Sequence, residues 1–151
     1  MEIEIITTTN NLDSTREFGL FLKKAHATIH MVHWYTLNYN VHIILGKLYE
    51  SLDGLFDKLQ EEIIGTSRDS GILFPLFSAS VFDLENISQF RDDTGNILDS
   101  YYWTCKKIKE ALSCTEFKGY VSQVNSGIQN TVDDIFTKLN KANYLLSLVK
   151  E

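Results

Sequence analysis

Two long stretches of this chain carry apolar residues at three- and four-residue steps with almost nothing to interrupt them, the pattern of helices that bury one face. In the first, Phe18, Phe21, Leu22, Ala25, Ile29, Val32 and Trp34 keep that spacing out to about Leu37. In the second, Ile44, Leu45, Leu48, Leu52, Leu55, Phe56, Leu59, Ile63 and Ile64 keep it from about Val41 to Ile64. Ser14-Thr15-Arg16-Glu17 has the form of a capping box and predicts the first helix start, Asn38-Tyr39-Asn40 predicts the turn, and Gly65 predicts the second helix end. Gly46 and Gly54, which cost a helix about 1 kcal/mol each relative to alanine, predict close packing against another backbone.

The rest of the chain completes an all-α reading. Residues 1 to 12 read as a short extended or loose N-terminal arm of a single domain spanning 1–151. From Thr66 to about Gln89 comes a connection that holds Gly71, the only proline (Pro75) and the run Ile72-Leu73-Phe74; it is too apolar for a loose linker and predicts a short helix near Ala79 to Asn86. A third helix is predicted from near Asp92 to Leu112, with Ile97, Tyr101, Cys105, Ile108 and Leu112 inward, an acidic first turn and a lysine-rich last turn. A fourth begins near Thr115, with Asn125, Gly127 and Asn130 as possible breaks. Four long helices with one long crossover that carries a short extra helix describe a four-helix bundle.

Composition excludes several functions. A net charge of −6 argues against a surface built to displace counterions from phosphates, and the first 16 residues hold one basic side chain, Arg16, so no basic DNA-binding tail is expected. The short clusters Lys23-Lys24 and Lys106-Lys107-Lys109 read as solvated helix faces. Cys105 and Cys114 match no zinc or redox spacing, and two plain thiols with no export signal predict a cytoplasmic protein. No apolar run is long enough for a membrane span. Tyr101, Tyr102 and Trp103 read as core and interface, and no Ser, Cys or His arrangement forms a nucleophile motif.

The chemistry-bearing feature is the histidines. All four, His26, His30, His33 and His42, fall within 17 residues, and the first three stand at i, i+4 and i+7 on one helix face. Neutral imidazole is the commonest transition-metal ligand, although any one of these alone reads as half-buried packing. On the second helix Asp57 and Glu61 stand at i, i+4 and project from one side. His42 and Asp57 are 15 residues apart on that helix, roughly 22 Å, so they cannot bind one metal within a chain. A helical hairpin can bring His33 beside His42. Carboxylates completing that site would then come from a second subunit, through antiparallel second helices about a twofold axis.

The series His30-x-x-His33-Trp34, then His42, then Asp57-x-x-x-Glu61 and Gly65 resembles the ferroxidase signature of the Dps-like miniferritins. The resemblance implies a ferritin-like four-helix bundle with a short helix in the crossover. It further implies a homo-oligomer, a twofold dimer through the second helix and a dodecameric shell. It implies that His33 and His42 of one chain and Asp57 and Glu61 of its mate hold iron(II), with His30 as a supporting ligand or in place of His33. The implied activity is oxidation of iron(II), preferably by hydrogen peroxide, with storage or detoxification of the product. Zinc would compete for the same ligands. The sequence departs from the pattern in three places: the turn between His33 and His42 is about three residues shorter, Gly46 stands where an acidic residue is common, and Glu62 follows the glutamate in place of arginine. Those departures fit the alternative, a ferritin-like scaffold or partner-binding protein without efficient oxidation. No E-x-x-H motif occurs, which argues against an iron pair held inside one bundle.

Overall fold

The computed structural model describes residues 2–82, 84, 97–124 and 126–149, with side chains from Ser14 onward apart from Ala79. Among these residues the chain is all-α, with five helices and one short 3-10 turn. The helices are α1 (Glu2–Tyr35), α2 (Tyr39–Ser70), α3 (Ile97–Ser113), α4 (Thr115–Val124) and α5 (Ile128–Ser147), and the turn is Ala79–Phe82. Helix α1 packs along α2 and α3, and α2 also packs along α5.

The periodicity named most of the buried residues, but Trp34, placed on the apolar stripe of α1, is 59% exposed, and Ala111 of α3 is buried without having been named. Phe18, Ala25, Ile29 and Val32 of α1, Leu45, Leu52, Leu59 and Ile63 of α2, and Tyr101, Ile108 and Ala111 of α3 have no exposed surface. Several boundaries differ. The extended arm expected over residues 1 to 12 is helical from Glu2, so the capping-box serine does not start a helix. Ser14 is buried inside α1 instead, where its hydroxyl donates to the Phe74 carbonyl at 3.0 Å and ties the crossover to the first helix. Helix α2 starts two residues early, on the Asn38 side chain, which accepts from the Asn40 and Val41 amides. It runs through Gly65 to Ser70, where Gly71 at φ 73° closes it with its N–H on the Ser67 carbonyl. That left-handed conformation is one a side chain rarely adopts, so Gly71 carries the stop signal assigned to Gly65.

The crossover is a structural element. Phe18 lies at its centre, with the rings of Phe74, Phe77 and Phe117 at 5.2, 5.9 and 5.8 Å, and burying such a side chain contributes about 2–3 kcal/mol. The expected short helix from Ala79 is a 3-10 turn ending at Phe82; its predicted last residues, 85 and 86, lie outside the described residues, as do 92 to 96 at the predicted start of α3. The acidic first turn of α3 is present in Asp99, but its last turn holds no basic residue. Lys107 is not on a solvated face: it is 7% exposed, and its ammonium donates to the Ser80 carbonyl at 2.7 Å, holding the turn against α3. The break foreseen near Asn125 and Gly127 is real and divides the last third into α4 and α5. Both thiols are free. No helix among the described residues is long and apolar enough to cross a membrane.

Candidate functional site

All four histidines line the seam where α1 returns as α2. His33 and His42 face each other across the turn, ring centroids 3.9 Å apart and planes 15° from parallel. Each ring is tied to the other residue's backbone: His33 Nδ1 donates to the His42 carbonyl at 2.7 Å, and His42 Nδ1 donates to the His33 carbonyl at 2.8 Å. A carbonyl oxygen only accepts, so both Nδ1 atoms carry the hydrogen, and in the neutral rings Nε2 holds the lone pair. A backbone carbonyl fixing the tautomer in this way is what ligating histidines commonly have.

Further along the seam, Tyr49 of α2 is sandwiched between His26 and His30, with ring centroids 3.9 Å from each and tilts of 4° and 17°. His26 Nε2 donates to the Tyr49 carbonyl at 2.9 Å. His30 makes no hydrogen bond with a described residue; it touches Trp34 at 4.2 Å and faces His33 at 6.0 Å. Burial, then the neighbouring His33 and His26, hold its pKa below the ordinary imidazole value, so its neutral form is favoured.

The carboxylates are elsewhere. Asp57 and Glu61 are exposed on α2 and form no hydrogen bond or ion pair with a described residue. Asp57 borders a groove of about 620 Å³ between α1 and α2, together with Lys23, His26, Asp53 and Gly54. The separation of His42 and Asp57 expected from helix length therefore holds, since α2 is unbroken between them. Among the described residues no three His, Cys, Asp or Glu side chains come together as a metal-holding group. Glu62 turns to the opposite side, where its carboxylate accepts from the buried Thr131 hydroxyl of α5 at 2.5 Å.

The glycines behave differently from the expectation of backbone contact. A Cβ at Gly46 would meet the His33 ring, a side chain, whereas at Gly54 it would meet nothing within 4 Å. Tyr49 is the residue that sequence reasoning missed. Its signal was present, because Tyr49 falls one helical turn beyond Leu45 on α2, but an aromatic at that spacing reads as ordinary packing.

A family model matches residues 33–146, which takes in His33, His42, Asp57 and Glu61 and leaves out His26 and His30. The chain belongs to the DUF5856 family, described as a family of unknown function. No curated protein and no solved structure matches it. The DUF5856 match covers α2 to α4 in full and nearly all of α5, so the histidine pair at the hairpin and the carboxylates of α2 lie inside one family-defined unit.

Proposed function

We propose that this DUF5856 member is a ferritin-like, Dps-like iron-binding protein that oxidises iron(II) at sites shared between two subunits. His33 and His42 of one chain, with His30 in support, and Asp57 and Glu61 of a twofold mate would hold the iron(II) substrate. Imidazole and carboxylate together suit iron(II), and the harder carboxylates favour the iron(III) product. In the net reaction two iron(II) ions give up one electron each, and one hydrogen peroxide with two protons leaves as two waters.

The observation that carries the reading is the reciprocal bonding of His33 and His42, which leaves both Nε2 lone pairs uncommitted. Exposed Asp57 and Glu61 without partners among the described residues add to it. So does the outer face of α1, where Leu20 and Trp34, 14 positions apart, are 54% and 59% exposed, Leu20 beside Gly54 of α2. Apolar side chains left open along one helix face are what a second subunit covers.

One observation favours a second reading, a ferritin-like scaffold or partner-binding protein without efficient oxidation. Lone pairs lie in the imidazole planes, and two nearly parallel rings 3.9 Å apart cannot aim both at one ion. Iron binding by the pair therefore requires one ring to turn and give up its carbonyl.

Anaerobic titration with iron(II), followed by hydrogen peroxide while iron(III) absorbance is recorded, tests the proposal on wild type and Asp57→Asn side by side. Saturable binding and fast oxidation that the substitution abolishes support the shared site, and zinc added beforehand should block both. Oxidation no faster than in buffer and equal in the two proteins supports the scaffold.

A further inference from the structure

On the other side of α2, facing α5, two adjoining cavities of about 600 and 360 Å³ share Ile43, Ile44 and Leu145 and so form one groove. It follows α2 from Tyr39 to Ser51, a run of about 18 Å or three helical turns. Its floor is apolar, built from Ile44, Leu48, Ala142 and Leu145. At its open end Tyr39 and Leu148 are 73% and 58% exposed.

The charge on its rims is opposite to that of the chain. Lys47 borders it on α2, and Lys138 and Lys141 border it on α5. All three are exposed and none forms a hydrogen bond or ion pair with a described residue. Glu50 is the one carboxylate among the lining residues, so the groove carries a local excess of positive charge on a chain of net charge −6.

We propose that this groove is a docking site for an acidic amphipathic helix of a partner protein. A helix of three turns laid between α2 and α5 would place residues at i, i+3 or i+4 and i+7 on the apolar floor. Its flanking positions would then meet ammonium groups on both rims, so carboxylates there are attracted and lysines repelled. A lipid surface, which is flat, reaches rims of this shape but not the floor between them. The site lies on the α5 side of α2 and does not depend on the histidine seam.

The test uses the full chain and a fluorescein-labelled helical peptide of about 14 residues, with leucines at i, i+3, i+4 and i+7 and glutamates on the flanks. A twin peptide has every glutamate replaced by lysine. The expected result is saturable anisotropy change with the acidic peptide, weakened by added salt, and none with the lysine twin. The triple variant Lys47→Glu, Lys138→Glu, Lys141→Glu should weaken binding at least tenfold, and Ile43→Asp should weaken it with the rims intact; circular dichroism verifies that both fold. Absence of saturable binding, or equal affinity for both peptides, overturns the proposal. So does adsorption to vesicles of phosphatidylserine and phosphatidylcholine, lost in the triple variant, when no peptide binds, for that assigns the lysines to membranes. Self-association that the triple variant abolishes and the acidic peptide does not compete with also overturns it, in favour of a second copy.

Discussion

Gly46 of α2 lies under the imidazole of His33: a Cβ at position 46 would stand 2.8 Å from its Cε1 and 3.1 Å from its Nδ1. The absence of a side chain there is what lets the ring reach the His42 carbonyl. Gly46→Ala should therefore displace the ring and break the bond from His33 Nδ1 to the His42 carbonyl, while the bond from His42 Nδ1 to the His33 carbonyl, which does not use that ring, stays. The gain in helix propensity, about 1 kcal/mol, is outweighed by the loss of that hydrogen bond, about 1 kcal/mol, together with the roughly 1–3 kcal/mol that overpacking the ring costs. Gly65→Ala is the control, because nothing lies within 4 Å of that position inside α2, and it should stabilise by about 0.5–1 kcal/mol. Urea unfolding of both variants would show opposite signs; equal stabilisation would mean that the ring yields without loss.

If the iron site is shared between subunits, defects in its two halves complement. His42→Ala and Asp57→Asn, each inactive alone, should recover about a quarter of wild-type oxidation when unfolded together and refolded at equal concentration. Half of the twofold pairs are then mixed, and each mixed pair holds one intact site of two. No recovery would remove Asp57 from the site, since the unbroken α2 keeps His42 and Asp57 of one chain apart.

Tyr101 is fully buried, and its hydroxyl donates to Asn143 Oδ1 of α5 at 2.7 Å, while Asn143 Nδ2 donates to the Cys105 sulfur at 3.4 Å. Burial pushes the Tyr101 phenol well above its ordinary value near 10, and does the same, less strongly, to Tyr120. The sign follows from proton counts. Above pH 10 the unfolded chain loses these protons and the folded chain keeps them, so the stabilisation present below pH 10 declines as pH rises toward the folded values. Unfolding followed from pH 8 to 11 should show that decline, and it should be shallower in Tyr101→Phe. At neutral pH the same variant should lose about 1–2 kcal/mol, since Asn143 Oδ1 is left without its donor.

Lys107 and Lys106 are neighbours with opposite fates. Lys107→Met removes the ammonium that holds the Ser80 carbonyl and should cost about 1.5–3 kcal/mol, whereas Lys106→Met, on an exposed position, should change stability by less than about 0.5 kcal/mol. Thermal unfolding of the two side by side checks this. Equal effects would mean that the 3-10 turn is held by Val81 and Phe82 alone.

The apolar periodicity by itself determined the helical class and the inward faces, because a helix buries whatever recurs at its own turn length, and Phe18, Leu45, Leu59 and Ile108 could be named without coordinates. Helix length likewise determined that His42 and Asp57 stand apart, since an unbroken α2 admits no other arrangement. What only the tertiary structure decided depends on groups distant in sequence. Ser14 reads locally as a cap, yet its hydroxyl is satisfied 60 positions away by Phe74, and with that partner supplied α1 continues through it. Gly65 reads as a stop, but nothing in its surroundings ends a helix there, and the left-handed residue is Gly71. Histidine spacing put imidazoles on one face of α1; that His33 and His42 stack, each on the other's backbone, with Tyr49 between His26 and His30, arose only when α2 folded back against them. Spacing along a chain sets which way a side chain leaves its helix, and packing against a second helix sets which atom it meets.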